Sequence, residues 1–304
     1  MKHLLVALAF LFSTVAQAQW SPGKETVQAI IPFAPGGGTD AAFRHFQKYA
    51  DQNGVTIAPV YKGGAEGVIG MTDVANGKTD GYTIGFGTQA TAMAYRLKHP
   101  NSDFEYVSVL RGSIMTMATH PNNPINNLSD LERFVRNPDN KGSFAYGSPS
   151  QKEIWEQYFE FAKAKHNPTL VPYKGGGPAV NDALGGHVDF IVVPLSIIKS
   201  HIDAGKLKLI AVSIRKPWKE VAGYENLNKK YPTWENNDGF LITLPAGVSK
   251  EVSDFWKKFV AKYLEDPQVL QDFYKEYTEP QPFGPEYARK GVDAAVQKQL
   301  KGKK

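Results

Sequence analysis

Short runs of strand-forming residues alternate with segments of helical periodicity along most of this 304-residue chain. Residues 27–33 form a β-rich run, and residues 41–50 follow with apolar side chains three or four positions apart. A second alternating block begins near residue 129 and continues to residue 213. Strands that alternate with helices build βαβ units, so this pattern predicts an α/β fold.

A turn-rich stretch at residues 120–127 separates the two alternating blocks. Two such blocks predict two lobes, each a mostly parallel sheet flanked by helices, with a ligand cleft between them. We assign residues 19–122 and 245–304 to lobe 1 and residues 123–244 to lobe 2. Ligands of open α/β sheets bind beyond the carboxyl ends of the strands, so the cleft is the expected site.

The first eighteen residues predict export. Lys2 and His3 precede an apolar run over residues 4–12, and small residues follow up to Ala18. This is the layout of a secretory signal peptide over residues 1–18, with cleavage expected after Ala18. The chain contains no cysteine, which excludes a lipid anchor on cysteine, disulfides and thiol catalysis. We therefore expect a soluble protein in the exported compartment.

The distribution of charged residues and histidines excludes several other functions. The formal net charge is +5, and basic and acidic residues are interspersed along the chain. No basic stripe indicates nucleic-acid binding, although a modest positive excess helps to attract anions. The histidines lack metal-ligand spacing, and no hydrolase or zinc-protease motif appears, so we expect no metal, no cofactor and no catalytic residues.

Two glycine loops, each between a strand and a helix, carry the chemistry of the sequence. Loop 1 spans residues 35–40 (Pro-Gly-Gly-Gly-Thr-Asp), and loop 2 spans residues 173–179 (Tyr-Lys-Gly-Gly-Gly-Pro-Ala). Glycine allows the backbone to approach a ligand closely, and the helix start supplies unpaired N–H groups and partial positive charge. Each loop is therefore either an anion site or a tight strand-to-helix turn; two loops, one per lobe, favour a shared anion.

Other interpretations of the glycine loops are less consistent with their sequences. Loop 1 has Ala41 where a dinucleotide fingerprint requires its last glycine, and neither loop continues into the Gly-Lys-Ser/Thr of a phosphate loop. A third glycine-containing stretch, loop 3 at residues 61–67 (Tyr-Lys-Gly-Gly-Ala-Glu-Gly), resembles loop 2. It precedes another predicted helix, and an ordinary turn explains it equally well.

The chain resembles the Bug family, the substrate-binding proteins of tripartite tricarboxylate transporters. The similar stretches are residues 31–40, 80–83, 171–179, 184–189 and 204–207. The resemblance implies a two-lobed, monomeric periplasmic binding protein that closes on a small carboxylate and delivers it to separate membrane subunits. By resemblance and loop position, the expected ligand-binding residues are Phe33, Ala34, Gly36, Gly37, Gly38, Thr39, Asp40, Thr88, Gln89, Ser148, Tyr173, Lys174, Gly175, Gly176, Gly177, Pro178, Ala179 and Pro194.

The roles of several of these side chains have alternatives. Asp40 either faces the cleft, where the family has an acid, or serves as an ordinary helix-start acid; we favour the cleft. Thr39 either donates to ligand or caps its helix, and capping is favoured. Phe33 and Tyr173 are assigned to the pocket wall rather than to the core. Lys152, where the sequence departs from the family, is either a solvated lysine or a contact for a second carboxylate.

The leading functional hypothesis is capture of an organic carboxylate for uptake. A receptor that docks on a membrane sensor would use the same closed form, and a secreted hydrolase or isomerase is a third possibility. The identity of the acid stays open among mono-, di- and tricarboxylates, aromatic acids and acidic amino acids. Aromatic residues near the loops favour a slim or aromatic acid over citrate.

Overall fold

The computed structural model describes residues 20–165, 168–214, 218–234, 239–280 and 284–301. The predicted signal peptide, residues 1–18, lies outside these ranges. None of the helices within them combines the length and hydropathy that crossing a bilayer requires.

The described chain alternates strands and helices, numbered here in chain order. The strands are β1 (Val27–Ile31), β2 (Ile57–Tyr61), β3 (Thr83–Thr88), β4 (Phe104–Ser113), β5 (Met115–Thr119), β6 (Ser143–Tyr146), β7 (Thr169–Pro172), β8 (Phe190–Pro194), β9 (Lys208–Ser213), β10 (Glu225–Asn226), β11 (Gly239–Pro245) and β12 (Thr278–Pro280). The helices are α1 (Gly38–Gln52), α2 (Val68–Ala75), α3 (Gln89–Lys98), α4 (Leu128–Arg136), α5 (Pro149–Ala162), α6 (Gly176–Leu184), α7 (Leu195–Asp203), α8 (Leu227–Lys230), α9 (Lys250–Glu265), α10 (Pro267–Lys275) and α11 (Pro285–Lys301).

The strands form two six-stranded sheets, one in each lobe. The lobe 1 sheet has the order β12-β4-β11-β3-β1-β2, and the lobe 2 sheet has the order β10-β9-β5-β8-β6-β7. Strand β1 pairs in parallel with β2 and β3, and β6 pairs in parallel with β7 and β8. In both sheets the loop after each parallel strand therefore opens on the same edge, which faces the other lobe.

The two-lobed α/β architecture is confirmed, but both sheets are mixed rather than mostly parallel. In lobe 1, β11 runs antiparallel to β3 and β4, and in lobe 2, β5 runs antiparallel to β8 and β9. These antiparallel strands are the ones that adjoin the crossovers. A strand that enters from the other lobe arrives at the cleft edge and must run away from it.

The crossovers differ from the boundaries assigned from the sequence. Strand β5 belongs to the lobe 2 sheet and β11 belongs to the lobe 1 sheet. The chain thus crosses near Ile114 rather than near residue 122, and it returns before Gly239 rather than near residue 244. The first crossover is the single residue Ile114 between β4 and β5, whereas the turn-rich stretch at residues 120–127 follows β5. The turn signals therefore marked the wrong end of β5.

Each lobe is a three-layer sandwich with aromatic residues on one face of the sheet. In lobe 1, Phe43 and Phe46 of α1 pack with Trp256 of α9, while α2, α3 and α11 cover the opposite face. In lobe 2, Trp155 of α5 lies on one face and α6 and α7 cover the other. The apolar residues of α1 lie on one face of the helix, and that face packs on the lobe 1 sheet. This packing holds the start of α1 at the cleft. Helices α9 and α11 return to lobe 1, as predicted.

Candidate functional site

A cavity lies between the lobes at the edge where the parallel strands end. The cavity has a volume of about 40 Å³, which is more than one water molecule requires. Both lobes contribute to its wall. The lining residues are Phe33, Gly37, Gly38, Thr39, Thr88, Ser113, Met115, Gly147, Ser148, Ser150, Gln151, Gly176, Pro194, Gly239 and Phe240.

Helices α1 and α6 both begin at this cavity without a side-chain cap. Their N-cap residues are Gly37 and Gly175, and neither glycine supplies a side-chain hydrogen bond to the first turn of its helix. The first N–H groups of a helix have no partner within the helix, so those of α1 and α6 remain as donors at the cavity. The partial positive charge of each helix start adds to their affinity for an anion.

The two uncapped helix starts approach each other across the cleft. A Cβ atom placed on Gly37 would lie 3.4 Å from the backbone N of Gly176 and 3.5 Å from that of Gly177. The first two amide nitrogens of α6 therefore lie next to the residue that precedes α1. One small anion can reach both helix starts only in this closed arrangement.

Helices α3 and α5 begin at the same cavity but are capped by hydroxyl side chains. Thr88 Oγ1 accepts from Thr91 N at 3.2 Å, and Thr91 Oγ1 accepts from Thr88 N at 3.0 Å. Ser148 Oγ accepts from Gln151 N at 3.3 Å. Helix α5 begins at Pro149, whose lack of an N–H suits the first helical position.

The lobes are joined by direct backbone contact beside the cavity. Ala34 N donates a hydrogen bond to the carbonyl oxygen of Lys174, with a distance of 2.7 Å. A Cβ on Gly63 of loop 3 would lie 2.9 Å from that same oxygen, and a Cβ on Gly177 would lie 2.7 Å from the carbonyl oxygen of Pro35. Both distances are shorter than side chains tolerate, so glycine at these positions allows the three loops to meet.

Asp40 holds loop 1 in shape rather than lining the cavity. Its Oδ2 accepts from Gly36 N at 2.9 Å, and its Oδ1 accepts from Tyr61 Oη at 2.6 Å and from Arg44 Nε at 3.2 Å. Burial and the hydrogen bond to Asp40 raise the pKa of Tyr61, so this hydroxyl keeps the proton that it donates. Asp40 thus ties loop 1 to the end of β2.

Of the eighteen residues predicted from the sequence, eight line the cavity. Those that line it are Phe33, Gly37, Gly38, Thr39, Thr88, Ser148, Gly176 and Pro194. The ten that do not are Ala34, Gly36, Asp40, Gln89, Tyr173, Lys174, Gly175, Gly177, Pro178 and Ala179.

Three side chains predicted for the site are turned away from the cavity. Tyr173 Oη donates to Asp182 Oδ2 at 2.6 Å, and burial together with this bond raises the pKa of Tyr173 to about 12. Lys174 is exposed and contributes its backbone carbonyl. A Cβ on Gly291 of α11 would lie 1.9 Å from Gln89 Nε2, which shows that this amide faces α11. All three residues lie where a strand or loop passes toward a helix, and sequence periodicity does not resolve to one residue which side chains face the cavity there.

Seven lining residues are not among the eighteen predicted; one of them, Gly147, directly follows β6. Ser113 and Met115 flank the first crossover, Gly239 and Phe240 begin β11, and Ser150 and Gln151 lie in the first turn of α5. The crossover residues carry no local motif, because their role follows from the way the two sheets are joined. The α5 residues could have been found from the hydroxyl-rich helix start.

Charged groups are not part of the described cavity wall. Lys152 Nζ instead forms ion pairs with Glu66 at 3.6 Å and with Glu156 at 3.9 Å. Among the residues that the structure describes, no three His, Asp or Glu side chains cluster as metal ligands would. The described part of the site thus offers hydrogen-bond donors, hydroxyls and apolar walls.

Comparison with known proteins agrees with this geometry. The family model described as "Tripartite tricarboxylate transporter family receptor" matches residues 44–271. BugT of Bordetella pertussis is 24% identical over 282 residues, covering 90% of this chain and 86% of BugT. The structure of the periplasmic binding protein BugD has a TM-score of 0.81 and 28% identity, with 90% of this chain and 94% of that chain covered.

A second solved structure, an R. palustris protein with adipate, has a TM-score of 0.81 and 23% identity, and the alignment covers 91% of this chain and 95% of that one. The family model spans most of the chain, and the related proteins are aligned over nearly their whole length. With the two lobes and the cleft already described, these matches confirm the resemblance seen in the sequence. The chain belongs to the tripartite tricarboxylate transporter receptor family, which includes the Bug proteins.

Proposed function

We propose that this protein captures a small organic carboxylate in the periplasm and delivers it to the membrane subunits of a tripartite tricarboxylate transporter. The observation that carries the proposal is the meeting of two uncapped helix starts, α1 from lobe 1 and α6 from lobe 2. A carboxylate has two oxygens that can accept hydrogen bonds from both starts at once. Its binding would hold the lobes together.

The expected strength of such a site is sufficient for transport. A hydrogen bond to a charged group contributes about 1.5–3 kcal/mol, and a helix start adds about 0.3–1 kcal/mol or more when partly buried. Three or four such bonds, reduced by the cost of ordering the ligand and closing the lobes, reach the roughly 8 kcal/mol of micromolar binding. The site can therefore bind an acid without a metal or a covalent bond.

Binding rather than turnover is favoured by how the hydroxyls of the site are used. Ser148 and Thr88 cap helices, and Ser148 also shares a hydrogen bond with Ser150 at 3.0 Å. No histidine or carboxylate belongs to the described cavity wall as a general base. The family itself is one of receptors, which agrees with a protein that releases its ligand unchanged.

A thermal-shift screen tests the proposal. Acetate, succinate, adipate, benzoate, nicotinate, glutamate and citrate are compared with the amides of the same acids and with neutral sugars. A ligand at 100 times its Kd stabilises the folded state by about 2.7 kcal/mol, which is roughly 5–10 °C for a chain of this size. We expect at least one acid to produce such a shift and its amide to produce none. A shift with sugars alone, or NMR evidence that an acid is consumed, would overturn the proposal.

A further inference from the structure

Gln151 is a deeply buried polar side chain in the cavity wall. It lies in the first turn of α5, in lobe 2, and only 6% of its surface is exposed. Its backbone N is capped by Ser148 Oγ. A glutamine at this position of a helix commonly turns back to accept from the N–H of the N-cap residue. Here the side chain reaches one residue farther, to Gly147.

The contact with Gly147 fixes which end of the Gln151 amide is available. Gly147 N donates a hydrogen bond to Gln151 Oε1 at 2.6 Å. A backbone N–H can only donate, so the carbonyl oxygen of the amide must face Gly147 and the NH₂ group must face the other way. Within the described part of the chain, this is the one hydrogen bond that the Gln151 side chain makes.

The NH₂ group of Gln151 lies beside the start of α6. A Cβ on Gly176 would be 3.8 Å from Gln151 Nε2, and Gly176 is the first residue of α6, whose helix start has no side-chain cap. The NH₂ group of Gln151, with its two N–H bonds, and the first N–H groups of α6 thus border the same corner of the cavity. Gln151 lines the cavity, so an amide NH₂ group that faces away from Gly147 is positioned to donate to an acceptor that enters this corner.

We propose that Gln151 is a ligand-binding residue, which donates from Nε2 to the carboxylate held at the start of α6. This inference rests on the proposed capture of a carboxylate. It gives lobe 2 a side-chain donor that selects an acceptor and disfavours a cation or an ammonium group at that corner. Gly147 positions the amide, and the ligand completes its hydrogen bonding.

The test compares three variants with the wild type. Gln151→Glu keeps the shape and the acceptor for Gly147 but replaces both donors by a negative charge. Gln151→Met removes donors and acceptor without adding charge. Gln297→Glu adds the same charge on the exposed surface of α11 and serves as the control. Affinity is measured by titration calorimetry with whichever of acetate, succinate and adipate most raises the wild-type melting temperature.

We expect Gln151→Glu to weaken binding by about 100-fold or more and Gln151→Met by about 10-fold, with Gln297→Glu within about 2-fold of wild type. A role limited to capping Gly147 predicts the opposite order, because Gln151→Glu preserves that cap and Gln151→Met destroys it. Circular-dichroism melting without ligand checks that each variant is folded.

Two results would contradict different parts of the account. If the wild type binds an acid and Gln151→Glu binds it as well as Gln297→Glu does, Gln151 is not a ligand-binding residue, and the carboxylate function stands. If the wild type binds none of the three acids and also fails to bind the acids of the thermal-shift screen, the proposed function fails and the assignment of Gln151 fails with it.

Discussion

The helix starts around the cleft are of two kinds. Helices α3 and α5 begin with Thr88 and Ser148, whose hydroxyls accept from the first turn of their own helix. Helices α1 and α6 begin after Gly37 and Gly175, which have no side chain to do so. These four starts all border the same cavity or the loops beside it, so they differ in the residue that precedes the helix and not in their place in the fold.

This difference indicates how the protein reserves donors for a ligand. A capping hydroxyl occupies the N–H groups that an anion would need, whereas glycine leaves them free and allows a close approach. The glycine-preceded starts of α1 and α6 come from different lobes, and so do the capped starts of α3 and α5. An anion that uses both uncapped starts therefore links its binding to closure of the cleft, which a site within one lobe would not do.

Gly37→Asp should have the largest effect, because it supplies the uncapped starts with a carboxylate of their own. Gly37 has φ −91° and ψ 177°, which any residue adopts, and its Cβ would face the first nitrogens of α6. A tethered group acts at roughly millimolar effective concentration, so the affinity for an acid should fall by about 100-fold or more. Folding stability should rise by about 0.5–1 kcal/mol, since aspartate caps better than glycine.

Gly223→Asp is the matched control for this substitution. Gly223 is exposed in lobe 2, and a Cβ there would meet nothing within 4 Å. Calorimetric titration and urea unfolding are measured for both variants. Unchanged affinity in Gly37→Asp would mean that the start of α1 is not part of the ligand site.

Gly177→Ala should have the next largest effect, through closure alone. Its Cβ would lie 2.7 Å from the carbonyl oxygen of Pro35 in lobe 1, so the closed cleft becomes overpacked by about 1–3 kcal/mol. The affinity should fall by roughly 10- to 100-fold, while the unliganded stability changes by less than about 1 kcal/mol. Gly223→Ala controls for the added methyl group. Small-angle scattering should show Gly177→Ala remaining open with ligand; a closed liganded form would contradict the proposed contact.

Thr88→Ala and Ser148→Ala, at the capped starts, should lower the folding stability and leave the affinity for an acid nearly unchanged. Each loses a side-chain cap, which costs about 1 kcal/mol of unfolding free energy. Because the caps lie in different lobes, their costs should add in the double variant. The affinity for an acid should change by less than about 10-fold. A loss of affinity above 100-fold at unchanged stability would show that the hydroxyls, not the glycine amides, are the main ligand donors.

Lys152→Ala should have the smallest effect. The lysine pairs across the cleft with Glu66 at 3.6 Å, and the two side chains are 37% and 39% exposed. Exposed ion pairs contribute about 0–1 kcal/mol, so binding should weaken by less than about 5-fold, and less at high salt. Titration with succinate and with acetate separates the ion pair with Glu66 from direct contact between Lys152 and the ligand. If Lys152→Ala loses affinity for succinate but not for acetate, Lys152 binds a second carboxylate.

The sequence predicts the parts of this molecule that depend on local pattern. The alternation of strands and helices predicts the two-lobed fold, and the glycines before α1 and α6 predict two helix starts at the cleft. It does not predict the crossover at Ile114, because the chain passes there from one strand directly into the next, without a loop that a cluster of turn residues would mark. Nor does it predict that Asp40 and Tyr173 turn toward Tyr61 and Asp182, since partners distant in sequence decide those orientations.

A crystal structure with the acid that most stabilises the protein tests the central claim most directly. We expect the carboxylate between the lobes, with its oxygens within about 3.2 Å of backbone nitrogens in the first turns of both α1 and α6, directly or through one water molecule. A carboxylate held by a lysine or arginine side chain, or one that contacts a single lobe while the glycine amides face solvent, would contradict the account.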